Sequence, residues 1–167
     1  MSAIVIIVAS HRKNGNTAKL VSNLQNLLDC DVIDLLDYNI SRYDYHNANR
    51  NDDFIPLMRR IVRDYQTFVF ATPVYWYSVS GLLKTFLDRI TDLLTIEKEL
   101  GRQLRGKSMA TVTVSGGGHL GDAFFLPLRA TTDYLGMSYL ADLHTLDAEP
   151  NSDALRQFAD RITFSNT

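Results

Sequence analysis

Apolar and polar positions fall into blocks along this chain, and the spacing within the blocks switches repeatedly between strand and helix. The first block, AIVIIVA over 3–9, is rich in β-branched residues with no polar alternation, the mark of a strand buried on both faces. A polar, glycine-containing stretch follows at 10–16. Then 17–28 sets Ala18, Leu20, Val21, Leu24, Leu27 and Leu28 at helical spacing. A short strand is expected at 31–35, and 38–53 is polar and irregular. Helical spacing resumes over 54–65 through Ile55, Met58, Ile61 and Val62, and TFVFA at 67–71 is another buried strand. An aromatic loop at 73–80 leads into a helix at 81–94, with Leu82, Leu83, Phe86, Leu87 and Ile90 on one face. A fourth strand at 107–114 runs into a glycine run at 116–118. A helix at 120–135 must begin or bend at Pro127 and can stop at Gly136. A fifth strand at 137–146 and a helix at 154–164 close the pattern.

Strand and helix alternate throughout, which predicts a parallel sheet covered by helices on both faces. Five strands in this length suit the flavodoxin-like doubly wound α/β fold, a three-layer α/β/α sandwich with strand order 2-1-3-4-5. The whole of 1–167 is expected to form a single domain. In such a sheet, ligands bind beyond the carboxyl ends of the strands at the switch point, here between strands one and three with strand four alongside. The loops leaving those three strands are the most unusual segments of the chain.

The first loop reads Ser10-His11-Arg12-Lys13-Asn14-Gly15-Asn16-Thr17 and enters a helix N-terminus, where free N–H groups hold phosphate. Ser10, Asn16 and Thr17 add side-chain donors, Arg12 adds a charge-assisted one, and Gly15 permits a tight turn. It is neither a nucleotide P-loop nor GxGxxG, and a plain Asn/Thr helix cap is the alternative reading. The second loop, Thr72-Pro73-Val74-Tyr75-Trp76-Tyr77-Ser78, carries three adjacent aromatics that cannot all be core, and a flat aromatic ligand suits them. The third, Ser115-Gly116-Gly117-Gly118-His119, lets backbone approach a ligand or pass through positive φ. His119 reads as an exposed polar residue as readily as a ligand contact.

Composition narrows the class further. With 17 basic and 19 acidic residues the formal net charge is -2, and no basic stripe points to nucleic acid; the run at 102–107 reads as a solvated loop. The one cysteine, Cys30, excludes an internal disulfide and a cysteine-ligated cluster, and no metal site is expected. No segment reaches the apolar length of a membrane span, and 1–9 lacks signal-peptide features, so a cytoplasmic protein with no membrane partner is expected.

Together, 10–17, the run Thr72-Pro73-Val74-Tyr75-Trp76 with Ser80-Gly81-Leu82-Leu83-Lys84 and Phe86-Leu87-Asp88-Arg89, and 115–118 resemble the NAD(P)H-dependent FMN reductase family of the flavodoxin-like superfamily. The resemblance implies FMN as cofactor and NADPH or NADH as co-substrate. It also implies a small-molecule electron acceptor and a homodimer or higher homo-oligomer. It sets the FMN phosphate on Ser10, Arg12, Asn16 and Thr17, the isoalloxazine against Pro73, Val74, Tyr75 and Trp76, and closes the ring under Ser115, Gly116 and Gly117. No catalytic side chain is implied. An electron-transfer flavoprotein without reductase activity is the alternative. Ser80 is expected to cap the helix from Gly81. Lys84 and Asp88 can pair at i,i+4, and their helix, with Arg89, offers either a solvated charged face or a subunit contact. Tyr43, Tyr45 and His46 in 38–53 could form a lid, and Arg12, Lys13 and Arg102 could meet a nucleotide 2′-phosphate.

Overall fold

The computed structural model of the chain describes residues 3–118, 120–146 and 152–164. Strands β1 (Ile4–Val8), β2 (Cys30–Asp34), β3 (Thr67–Pro73), β4 (Ser108–Ser115) and β5 (Ser138–Leu146) form one parallel sheet in the expected order, β2-β1-β3-β4-β5. The described helices are α1 (Asn16–Gln25), α2 (Phe54–Asp64), α3 (Gly81–Thr95), α4 (Lys98–Arg102), α5 (Leu126–Tyr134) and α6 (Ser152–Phe164).

The unbroken apolar strands follow from two cores. Ile4, Ile6 and Val8 pack with Leu20 and Leu24 of α1 and with Phe158 and Ile162 of α6. Val5 and Ile7 pack on the other side with Phe54, Met58 and Ile61 of α2 and with Phe86 and Ile90 of α3. Strand β3 divides its residues the same way, Val69 and Ala71 against Phe68 and Phe70. With helices on both faces, the central strands bury apolar side chains on both sides, and the hydroxyls of Thr72 and Thr113 buried among them are hydrogen-bonded.

Several local expectations are corrected. The second strand ends at Asp34, because the Asp34 carboxylate accepts the Leu36 N–H at 3.0 Å and turns Leu35–Asp37 into a 3-10 helix. The helix expected at 120–135 is divided into a 3-10 turn, Asp122–Phe124, and α5, which Pro127 begins rather than bends. Gly136, at φ +70°, ends it. Helix α4 is too short to show a period in the sequence. It lies so close to α3 that a Cβ on Gly101 would stand 2.1 Å from the Leu93 carbonyl oxygen. The run 102–107 is only partly a solvated loop. Arg102 ends α4 and pairs with Glu99, while half-buried Lys107 donates from Nζ to the Tyr65 carbonyl at 2.7 Å.

On α3, Lys84 and Asp88 pair at 2.5 Å on an exposed face. Their neighbour Arg89 instead is fully buried. It stands 2.5 Å from Asp52 and 2.8 Å from Asp92, donates to the Ser41 carbonyl at 2.9 Å, and lies 4.8 Å from the Phe54 ring centre. Asp52 also accepts the N–H groups of Ser41 at 2.8 Å and Phe54 at 3.0 Å. Burial pushes the Asp52 carboxyl up, but Arg89 and these N–H donors outweigh it and hold the group below its ordinary 3.8. The segment 38–53 is thus fastened to α2 and α3. It lines grooves against those helices, where Tyr43, Tyr45 and His46 lie.

Between β4 and β5 the register slips. Tyr139 lies opposite Met109 but Ala141 lies opposite Ala110, so Leu140 is an extra residue. A one-residue slip exchanges the faces of everything after it. Ala141 and Leu143 enter the α1/α6 core, while Asp142 turns to Arg129 of α5 and His144 turns to Ser115.

Candidate functional site

The carboxyl ends of β1, β3 and β4 are tied together by buried hydroxyls. Ser80 Oγ donates to the Ala9 carbonyl at 2.7 Å and accepts the Leu83 N–H at 3.1 Å, so it caps α3 as expected and also fastens it to the end of β1. Thr72 Oγ1 accepts the Ser80 N–H at 3.1 Å, and Thr113 Oγ1 donates to the Thr72 carbonyl at 2.7 Å. The three loops spring from this fixed frame.

In the first loop, Ser10 is buried and its Oγ accepts the Arg12 N–H at 3.4 Å. Helix α1 begins after Gly15, and no side chain caps it. This corrects the reading of the loop as an Asn/Thr cap: the first-turn N–H groups are left for another acceptor. Lys13 is engaged by Asp37 at 2.5 Å, and Arg102 lies in the α4 connection that leads to the amino end of β4, away from the loops.

In the second loop, Tyr75 and Ser78 exchange backbone hydrogen bonds, N–H to carbonyl, at 2.9 and 3.0 Å. The two residues between them, Trp76 and Tyr77, sit at φ 50° and 60°. This left-handed conformation is costly for bulky side chains and suits glycine or asparagine. Trp76 is 95% exposed and Tyr77 75%. Strain held in an exposed aromatic turn belongs with a binding site more than with packing.

In the third loop, Ser115 Oγ stands 2.7 Å from both the Gly117 carbonyl and His144 Nε2. Of the two uses open to these glycines, positive φ is not found at Gly116, Gly117 or Gly118. A Cβ on Gly116 or Gly117 would meet nothing within 4 Å. Neither conformation nor a protein neighbour requires glycine there, so the glycines keep a space clear.

That space belongs to two adjoining cavities. One, about 130 Å³, is lined by Ser10, Arg12, Gly15, Asn16, Thr17, Pro73, Val74, Tyr75, Val114, Ser115 and Gly116. The other, about 350 Å³, is lined by Val74, Trp76, Tyr77, Ser115, Gly116, Gly117, Gly118 and Leu120. Val74, Ser115 and Gly116 line both. Of the expected site residues, Asn14 is exposed and lines neither cavity, and His119 lies outside the described residues. Val114, Leu120 and His144 escaped the sequence reading. Val114 and His144 sit in strands, and only pairing brings His144 to Ser115. Two wider grooves of about 700 Å³ border 38–53, but they contain neither the phosphate-type loop nor the glycine run.

Titratable groups near the site are few. Burial holds the half-buried His144 below its ordinary 6.5. Cys30, on β2, is raised to about 11 by burial and by Asp31 and Asp29, which removes it as a nucleophile. No group of three metal-ligating residues occurs, and no helix is long and apolar enough to cross a membrane, among the described residues.

A five-stranded 2-1-3-4-5 sheet with an uncapped helix start, an aromatic turn and a glycine loop at its switch point defines a flavodoxin-like α/β protein built to take a phosphate-bearing planar ligand. The family model for NADPH-dependent FMN reductase matches residues 2–149, and the chain belongs to that family, whose cofactor is FMN. It is 30% identical over 121 residues, 68% of its length, to the Bacillus subtilis (strain 168) protein YwqN, whose name places it with NAD(P)H-dependent, FMN-containing oxidoreductases. The matched stretch is 66% of that relative's length, and 43% and 46% of two potassium-efflux ancillary proteins, so the chain spans between two fifths and two thirds of these curated relatives. Among solved structures it superposes on the Trp repressor binding protein of Bacillus subtilis at TM-score 0.73 and 24% identity, covering 95% of this chain and 96% of that one. It superposes on general stress protein 14 of Treponema denticola, solved with FMN, at TM-score 0.64 and 16% identity, covering 98% and 97%.

Proposed function

We propose that the chain holds FMN across the two cavities and passes electrons from NADPH or NADH to a small-molecule acceptor such as a quinone or a free flavin. The observation that carries this reading is the sharing of Val74, Ser115 and Gly116 by two cavities lined by loops far apart in the chain. The donor set fits the cofactor. A phosphate is served by the first-turn N–H groups of α1, which no side chain caps, with Ser10, Asn16, Thr17 and the Arg12 guanidinium as further donors. A planar ring is served by the cavity of about 350 Å³, within the ~300–1,000 Å³ of small-ligand sites, between Val74, Trp76, Tyr77 and Leu120.

When bound, FMN supplies the redox chemistry, accepting a hydride from a nicotinamide. The chain's own part is to bind and orient. The Ser80–Thr72–Thr113 frame holds the loops in place, and the glycines of the third loop bring backbone N–H groups toward developing charge with no Cβ between. No side chain is assigned a proton-transfer role. We assign the chain to the cytoplasm and to a homodimer or higher homo-oligomer, without nucleic-acid or membrane partners. A single cysteine, which fits a reducing compartment, supports the first assignment, and the net charge of -2 supports the lack of a nucleic-acid partner. The exposed Trp76 and Tyr77 beside the cavity support a second copy packed against them.

The test is to add FMN to the purified chain and record visible absorbance and stoichiometry before and after anaerobic NADPH or NADH. One FMN per chain, bleached by either nucleotide, is the expected result. Bleaching by dithionite alone would replace the reductase with an electron carrier, and absence of FMN binding would overturn the reading.

A further inference from the structure

We infer that His144 is a positioning residue of the flavin cavity: it donates from Nε2 to Ser115 Oγ and so fixes which way that hydroxyl's proton points. The inference rests on the FMN reading of the same cavity. Ser115 Oγ has two neighbours at 2.7 Å, the Gly117 carbonyl and His144 Nε2. A hydroxyl has one proton, and a carbonyl oxygen only accepts. The proton therefore belongs to Gly117, and Oγ accepts from His144, which must carry its hydrogen on Nε2. The first bond closes the 115–117 turn, and the second ties that turn to β5.

Ser115 lines both cavities, so the direction of its proton decides what a ligand meets. With the proton committed to Gly117 and one lone pair to His144, the hydroxyl retains acceptor capacity only. It then matches a donor, such as the N3–H of an oxidised isoalloxazine or a ribityl hydroxyl, and repels a ring carbonyl. Burial keeps the imidazole neutral at pH 7, so the tautomer is a real choice between two nitrogens. Asp142 and Arg129, the charged pair on the same face of β5, satisfy each other. The extra residue Leu140 is what turns His144 to this face; in an unbroken ladder it would point with Leu143's present neighbours into the α1/α6 core.

The experiment compares the wild type with H144F, H144Q, S115A and H144F/S115A. In the apoprotein, ring ¹⁵N shifts of His144 should report an Nε2–H tautomer in the wild type and a mixture in S115A. FMN titrations followed by flavin fluorescence should show H144F and S115A each weakened roughly tenfold, the loss expected for one hydrogen bond. The double variant should be no weaker than either single variant, because both remove one coupled unit. H144Q, which keeps an N–H donor, should recover most of the affinity, and it carries the test if H144F unfolds in a thermal melt. An Nδ1–H tautomer in the wild type, wild-type affinity in H144F, or additive losses would each overturn the inference. A wild type with the Nε2–H tautomer but no FMN binding would overturn the flavin reading while supporting the loop geometry.

Discussion

At the scale of single residues, the site reads as places where the chain accepts a local cost or leaves room. Tyr77 is held at φ 60°. A left-handed conformation costs an L-residue roughly 1–2 kcal/mol, which glycine avoids at some entropic cost. Tyr77→Gly should therefore raise stability by about 1 kcal/mol, read from urea unfolding. The same variant should alter acceptor turnover, because it removes a cavity wall. The opposite pattern is expected at Gly117. Its added Cβ meets no protein atom within 4 Å, so Gly117→Ala should leave the apoprotein's unfolding midpoint unmoved or slightly raised and weaken FMN in an equilibrium titration. A loss of stability instead would mean that the glycine serves the turn rather than the ligand. The aromatic triplet was legible in the sequence because three adjacent rings cannot share one core. The strain in their turn was not, since φ is set by the Tyr75–Ser78 pairing.

At the scale of elements, the buried Arg89 carries the largest consequence. It holds the 38–53 segment to α3 through Asp52 and Ser41. Arg89→Leu would leave Asp52 and Asp92 buried without their cation. The loss should be about 3–5 kcal/mol, measurable by denaturant unfolding. The pH dependence has a definite sign. The Asp52 carboxyl lies below its ordinary 3.8 in the folded chain, so the unfolded chain binds the proton more readily. Its contribution is whole above about pH 4 and is lost as the pH falls through the folded value. Acid unfolding of the wild type should therefore begin below pH 4, and an Asp52→Asn chain should lack that component. The absence of a period over 38–53 revealed a loop, but its attachment depends on a guanidinium whose burial the spacing along α3 did not reveal. Helix α4 and the Leu140 bulge were equally hidden, one for want of length and the other because a bulge exists only relative to a partner strand.

At the scale of the whole molecule, binding and stability are linked. A ligand held by the folded chain alone, at a hundred times its dissociation constant, adds about 2.7 kcal/mol. FMN at that excess should raise the melting temperature by roughly 5–10 °C in a calorimetric scan. A scan unmoved by FMN would count against the cavities as its site.

The sequence alone determined the alternation of strands and helices and, with it, the parallel sheet, because uninterrupted β-branched runs have no other stable setting than burial on both faces. From the doubly wound order it also determined which loops would meet, since a switch point brings the ends of strands one, three and four together whatever lies between them. Only the tertiary structure decided how those loops are held. The hydroxyl ties at Thr72, Ser80 and Thr113, the burial of Arg89 and the turning of His144 toward Ser115 are all contacts between distant residues. Periodicity records which face a residue takes along its own element. It carries no record of the partner across the sheet, and that partner is what orients Ser115 at the cavity.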